Sequence, residues 1–170
     1  LRDSGDFEAA LETVESVDTE KLTVNDRAMY VYTYISIAVC MGNKELALSV
    51  LEENRHFINA VISETEYVEN TGFIYISLIY VYSVFEQFEN AYETCTGYIE
   101  SEASKKSGVR NTDLLILKIY LLKKLGREKD MQEAYEEFNR NAPKLKLMFD
   151  IDRALLINNA EKAIKGELPI

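Results

Sequence analysis

The chain has 170 residues, of which 47% are hydrophobic and 28% are charged, with only 7 Gly and 2 Pro. This composition predicts a single ordered domain over residues 1–170, built from long helical elements with few tight turns. The net charge of −10 opposes close approach to phosphate backbones, so we expect no direct binding of nucleic acid.

A repeated segment marks the chain at four places, residues 5–11, 42–48, 86–92 and 129–135. Each runs from a break, through polar residues, to an alanine that is followed by a large apolar residue. These alanines, 37, 44 and 43 residues apart, are Ala10, Ala47, Ala91 and Ala134. The spacing fits a helical hairpin with its connections, and a small side chain lets two helices pack closely.

Long apolar runs precede three of these marks, at residues 28–41, 73–85 and 113–125. They are rich in β-branched and aromatic residues, so a parallel α/β fold is the structural alternative. Buried strands usually last only about 4 to 8 residues, and these runs are longer. We therefore predict that the runs are the first helices of hairpins. After the second mark, apolar residues between positions 46 and 62 recur at the spacing of one helix face.

Helix boundaries are indicated by capping residues. Thr23 with Asp26, Asn43, Thr112 before Asp113, and Asp130 with Glu133 predict four helix starts. Pro143 suits the first turn of a last helix at about residues 144–165, which Gly166 and Pro169 would end.

The cellular setting is predicted from what the sequence lacks. No run of about 18 uncharged apolar residues exists to span a membrane, and the charged start gives no signal peptide. Cys40 and Cys95 lie in apolar helical stretches without Cys-x-x-Cys spacing, so we expect buried reduced thiols and a cytoplasmic location. Because the chain begins with Leu1, we expect a fragment of a longer protein.

Catalytic and metal-binding motifs are weak. His56 is the only histidine, so the chain has no second histidine for a metal site. It lies on a charged stretch, as a surface histidine would. The carboxylates are spaced as they are on solvated helix faces. Asp150 and Asp152 lack the other ligands of a calcium-binding loop. The sequence also has no phosphate-binding Gly-x-x-x-x-Gly-Lys segment. We predict no enzyme activity, no metal and no cofactor.

The hairpin pattern resembles the tetratricopeptide repeat family. In the second unit Gly42 and Ala47 match the family's turn glycine and second-helix alanine, with Tyr34 and Ala38 at core positions of the first helix. The third unit matches at Leu78, Tyr82 and Ala91, although Glu86 replaces the turn glycine. Departures are the absence of Trp, the large Ile35 and Ile79 at a small-residue position, a period above 34, and three residues inserted in the fourth unit after Gly126.

The resemblance implies an all-α, right-handed solenoid of about four antiparallel helical hairpins with a C-terminal capping helix. Such proteins bind a protein or peptide in a concave groove lined by the first helices, and this groove suits a basic or apolar partner. An alternative is the ligand- or peptide-sensing domain of a bacterial transcriptional regulator. Carried over to this chain, the groove residues are Met29, Tyr32, Ser36, Phe73, Ile76, Tyr80, Asp113, Ile116 and Tyr120.

Overall fold

The computed structural model describes residues 6–63, 71–101, 104, 111–142 and 150–170, and every regular element in these ranges is helical. The all-α prediction is confirmed, and the α/β alternative is wrong for the described chain, which contains no strand. The elements in chain order, with a short 3₁₀ turn at Thr19–Lys21 after the first, are α1 Phe7–Glu15, α2 Val24–Cys40, α3 Lys44–Glu53, α4 Arg55–Ser63, α5 Thr71–Val84, α6 Phe88–Glu100, α7 Asn111–Lys124, α8 Glu128–Asn141 and α9 Asp150–Ile164.

The three apolar runs become α2, α5 and α7, and these helices form the centre of the molecule. Helix α5 packs against α2 on one side and α6 on the other, while α7 packs against α6, α8 and α9. Helices with neighbours on several sides bury apolar residues around most of their circumference. This explains why α5 and α7 show no single apolar stripe. One large core runs through them, with Ile35, Ile79 and Ile119 fully buried.

Each hairpin turn is closed by a residue in the left-handed region, at Gly42 (φ 69°), Glu86 (φ 58°) and Gly126 (φ 68°). The next residue donates its N–H to a carbonyl five positions back, as Gln87 does to Tyr82 at 2.9 Å. This is the Schellman pattern, which satisfies the last carbonyls of a helix and reverses the chain. Gly166 (φ 76°) ends α9 in the same way, as the sequence predicted.

The second helices contain small buried side chains, but the fourth unit differs from the prediction. Three residues hold equivalent positions in the second helices, namely Ala47, Ala91 and Met131. The backbone N–H of each donates to the carbonyl oxygen of the residue that follows the left-handed turn residue. The alignment of Ala134 with the other alanines is wrong by one helical turn, and the predicted insertion is absent. Helix α8 begins two residues after Gly126, just as α3 does after Gly42. The flexible Met131 side chain fills the place of the smaller alanine.

The stretch after the second mark is two helices rather than one, with a break at Asn54. Asn54 is buried, and its side-chain amide donates to the Val50 carbonyl oxygen at 2.9 Å. Its side-chain oxygen accepts from the Arg27 guanidinium at 3.3 Å, and that guanidinium also lies over the Phe57 ring at 4.9 Å. Most buried polar groups in proteins have partners of this kind. The break therefore ties α2 to both short helices.

Predicted helix starts are partly correct. Thr23 caps α2 through the Asp26 N–H, and Asn43 caps α3 through the Leu46 N–H. The predicted cap at Asp130 is wrong, because α8 already begins at Glu128. Thr112 lies inside α7. The described part of the predicted last helix is α9, Asp150–Ile164, while residues 144–149 of that prediction lie outside the described chain.

Helix α1 packs on the outer side of α2 and extends the array toward the N-terminus. The Tyr34 hydroxyl donates to the Glu15 carboxylate at 3.0 Å, and the Tyr34 ring meets Tyr30 edge-on at 5.8 Å. Burial, followed by this hydrogen bond, raises the pKa of Tyr34 to about 12. At neutral pH the hydroxyl therefore keeps the proton with which it links the two helices.

The thiols and the helix lengths bear on the predicted cellular setting. Cys95 is fully buried and Cys40 is half-buried, and neither forms a disulfide. The expectation of two buried thiols is thus confirmed for Cys95 alone. Among the helices in the described ranges, none is both long and apolar enough to cross a bilayer.

Candidate partner-binding groove

The nine predicted groove residues occupy three equivalent positions on α2, α5 and α7. They lie thirteen, ten and six residues before the left-handed turn residue of each hairpin, at Gly42, Glu86 and Gly126. Spacings of three and four residues keep side chains on one face of a helix. The structure thus gives the carried-over residues a common register, and we call this set the groove face. Its members are Met29, Tyr32 and Ser36 on α2, Phe73, Ile76 and Tyr80 on α5, and Asp113, Ile116 and Tyr120 on α7.

Exposure along the groove face falls from α2 to α7. Met29 is 41% exposed, and Tyr32, Phe73 and Asp113 are half-buried. The remaining five residues are buried within the chain, and these are Ser36, Ile76, Tyr80, Ile116 and Tyr120. The α2 end of this face is therefore the most exposed to solvent, and its five buried residues are enclosed by the rest of the chain.

An aromatic cluster joins α2 to α5 at the accessible end. Tyr32 lies 5.1 Å from the Phe73 ring and stacks on Tyr80 with a centroid distance of 6.4 Å. Aromatic pairs at these separations add stability beyond the area that they bury. The cluster of Tyr32, Phe73 and Tyr80 therefore presents partly exposed rings on a rigid base formed by two packed helices.

The α7 end is closed and carries a cation. Tyr120 meets the Phe88 ring edge-on at 6.3 Å, and the Lys124 ammonium lies 5.7 Å from both ring centroids. Burial raises the pKa of Tyr120 to about 12; the neighbouring Ser83 hydroxyl opposes this shift, and the Glu86 carboxylate adds to it. Tyr120 is thus a neutral hydroxyl inside the core at physiological pH. Phe88 and Lys124 were missed because neither occupies one of the three register positions.

Residues 167–170, which we call the closing segment, contact the groove face at Tyr80, one of its five buried residues. The Tyr80 hydroxyl donates to the Pro169 carbonyl oxygen at 3.4 Å, and Pro169 itself is buried. Leu168 and Ile170 pack against the main core. Pro169 was predicted only to help end the last helix, and no local signal indicates that a residue 89 positions away would contact it.

A second concavity lies between α1 and α2. It has a volume of about 440 Å³ and is lined mainly by apolar side chains, with Asp26 as its charged member. Val14 and Val17 contribute from the α1 side, and Met29 and Ile37 from α2. Met29 thus borders both this cleft and the groove face.

The structure brings together no catalytic constellation among the described residues. Their His, Cys, Asp and Glu side chains form no group of three or more that could hold a metal ion. His56 is exposed on α4, away from the groove face. Burial raises the pKa of Cys95 to about 12, and its thiol donates to the Leu114 carbonyl oxygen at 3.5 Å. A thiol in that state is a poor nucleophile.

Comparison with known proteins adds no assignment: no protein-family model matches the sequence, and neither curated proteins nor solved structures gave a match.

Proposed function

We propose that this chain is a non-enzymatic interaction module, a right-handed tetratricopeptide-like solenoid of about four helical hairpins. It binds an extended peptide or a helix of another protein along the groove face. The proposed setting is a reducing compartment, the cytoplasm, which suits the buried reduced thiol of Cys95.

The single observation that carries this proposal is the aromatic cluster of Tyr32, Phe73 and Tyr80. Two of its rings are partly exposed, although the chain has a large core in which rings of this size could be fully buried. Tyrosine combines an apolar face with a hydrogen-bonding tip and loses little entropy when it is fixed, so it is enriched in protein interfaces. Rings held by packed helices are ordered before the partner arrives, which lowers the entropic cost of binding.

The chemistry of the groove face favours an apolar partner. Its nine residues include no Lys or Arg, and their one charged side chain is Asp113. A carboxylate clamp built from basic groups therefore lacks its ligands here. The net charge of −10 adds long-range attraction for basic flanking residues, which raises the association rate more than the affinity.

The test uses a displayed library of random peptides selected on the whole chain. Selected peptides should lose binding by at least about ten-fold in Tyr32→Ala with Phe73→Ala, since aromatic anchors dominate interface energies. Leu48→Ala on α3 is the matched control, because Leu48 is 39% exposed but lies outside the groove face. Circular dichroism checks that each variant is folded. Peptides that bind both variants equally, or depend only on Leu48, would remove the proposal.

A second candidate is a ligand-sensing domain, and the cleft between α1 and α2 favours it. Its volume of about 440 Å³ lies within the range of about 300–1,000 Å³ that is typical of small-molecule sites. The mostly apolar lining would take an apolar ligand. Filling the cleft with Val14→Phe should abolish saturable binding of an apolar fluorescent dye if this candidate is correct. Unchanged dye binding in a folded variant would exclude the cleft.

A further inference from the structure

At Tyr80 the groove face is contacted by the chain's own closing segment. The closing segment leaves α9 at Gly166, where a Cβ would lie 3.5 Å from the Lys123 side chain and 3.8 Å from Lys124. From this position beside α7 it reaches α5, where the Pro169 carbonyl oxygen accepts from the Tyr80 hydroxyl. It therefore bridges α5 and α7, two first helices that both pack against α6.

The closing segment contacts the groove face as a bound peptide would. Residues 167–170 have no regular secondary structure, and only the Glu167 N–H still donates to a carbonyl of α9, that of Lys162. Leu168 and Ile170 each bury part of an apolar side chain against the core, and Pro169 between them is buried. Alternating apolar side chains with a backbone carbonyl bonded to a tyrosine are typical of recognition of an extended proline-containing segment.

We propose that the closing segment is a tethered occupant of the groove, and that it competes with an extended apolar, proline-containing segment of a partner protein for the Tyr80 end. This inference rests on the proposed function and specifies the ligand chemistry. The groove end at Tyr80 accepts a segment of the type Leu-Pro-Ile, with the carbonyl of the proline bonded to the tyrosine hydroxyl.

Competition follows from the tether. A segment attached a few residues from its site has an effective concentration in the millimolar range. A free peptide of the same sequence binds only the fraction of molecules in which the closing segment has left, and its apparent affinity falls in proportion. Weakening the closing segment should therefore strengthen the binding of the free peptide.

The experiment uses the whole chain and a fluorescent peptide with the sequence of residues 165–170. In the variant Leu168→Asp with Ile170→Asp, charges replace both partly buried apolar side chains, and the peptide should bind at least about ten-fold more tightly than to the unchanged chain. Adding Tyr80→Phe to this variant should weaken binding by several-fold, because the hydroxyl donor is lost. A peptide with the same composition in scrambled order is the control.

A milder variant protects the test against misfolding. Pro169→Gly leaves both apolar side chains but loosens the closing segment, so peptide affinity should lie between that of the unchanged chain and that of the double variant. If the double variant is unfolded by circular dichroism, Pro169→Gly decides the question alone. Equal peptide binding by the folded variants and the unchanged chain would overturn the inference.

Failure of this inference can be separated from failure of the proposed function. Suppose that library peptides depend on Tyr32 and Phe73, but that the closing-segment variants leave the affinity for the closing-segment peptide unchanged. This result would support the groove as a binding site and reject the tethered occupant. No selected peptides from the library, together with no binding of the closing-segment peptide by any folded variant, would reject both.

Discussion

Among the residues that the structure describes, Glu86 is the one non-glycine residue with a positive φ, and its replacement gives the sharpest test of the fold. It has φ 58°, a region that costs a residue with a side chain about 1–2 kcal/mol relative to the right-handed region. Gly42 and Gly126 occupy the equivalent turns with nearly the same φ and avoid this cost. Glu86→Gly should therefore stabilise the chain, although it removes a side chain and adds none.

The expected gain is the strain released minus the entropy that glycine adds to the unfolded chain. That entropy is worth about 0.4–1 kcal/mol, which leaves a net stabilisation of about 0–1.6 kcal/mol, with a central value of about 0.8 kcal/mol. A change of this size raises the melting temperature of a domain of this length by about 2–3 °C. Glu86 is exposed, so no packing contact of the core is lost.

Urea unfolding followed by circular dichroism measures the change, with an unaltered slope as evidence that only stability has changed. Gly42→Ala is the opposite control: a Cβ at Gly42 meets no atom within 4 Å, so any loss of stability comes from the backbone. Glu86→Ala keeps the strain and removes the carboxylate, and should stay within about 0.5 kcal/mol of the parent. If Glu86→Ala matches Glu86→Gly, the gain comes from the charge and the backbone explanation is refuted.

Three further predictions concern the core. Ala91 is fully buried, so Ala91→Leu should lower the free energy of unfolding in urea by about 1–3 kcal/mol. The control Ala154→Leu, at an exposed site of α9, should change it by less than about 0.5 kcal/mol. Cys40 should react with a thiol reagent at about pH 8 in the folded chain. Cys95 is buried and its pKa is raised to about 12, so it should react only after unfolding. Equal reaction rates of the two thiols in the folded chain would contradict the burial of Cys95. The pKa of Tyr120 is about 12 in the folded chain and near 10 in the unfolded chain. The free energy of unfolding should therefore fall as the pH rises from about 10 to 12, and it should fall by a smaller amount in Tyr120→Phe.

The sequence was most informative where several local signals agreed. The run that became α5 is too long for a buried strand, and both Gly42 and Gly126 mark left-handed turns that end first helices. Glu86 was matched to the same turn because the flanking Leu78 and Tyr82 kept the register. Length, turn chemistry and register were therefore enough to predict the hairpins of the second and third units.

Prediction failed where tertiary packing decides between local options. Both Met131 and Ala134 are buried, so the sequence cannot show which one lies at the hairpin contact, and the smaller residue was the wrong choice. Asn54 breaks a stretch whose apolar spacing is that of one continuous helix. Its buried amide is satisfied by Arg27 on another helix, which no pattern within the stretch itself reveals.

The groove face shows the same division between register and burial. Its three positions per helix follow from the hairpin repeat, but the side chains at equivalent positions differ in exposure because their neighbours differ. Tyr32 on α2 is partly exposed, whereas Tyr80 on α5 contacts the closing segment and Tyr120 on α7 lies in the core. A repeated sequence pattern therefore specifies where a binding surface can form. Which side chains of it are exposed depends on tertiary neighbours, such as Pro169 beside Tyr80, which lie outside the repeat.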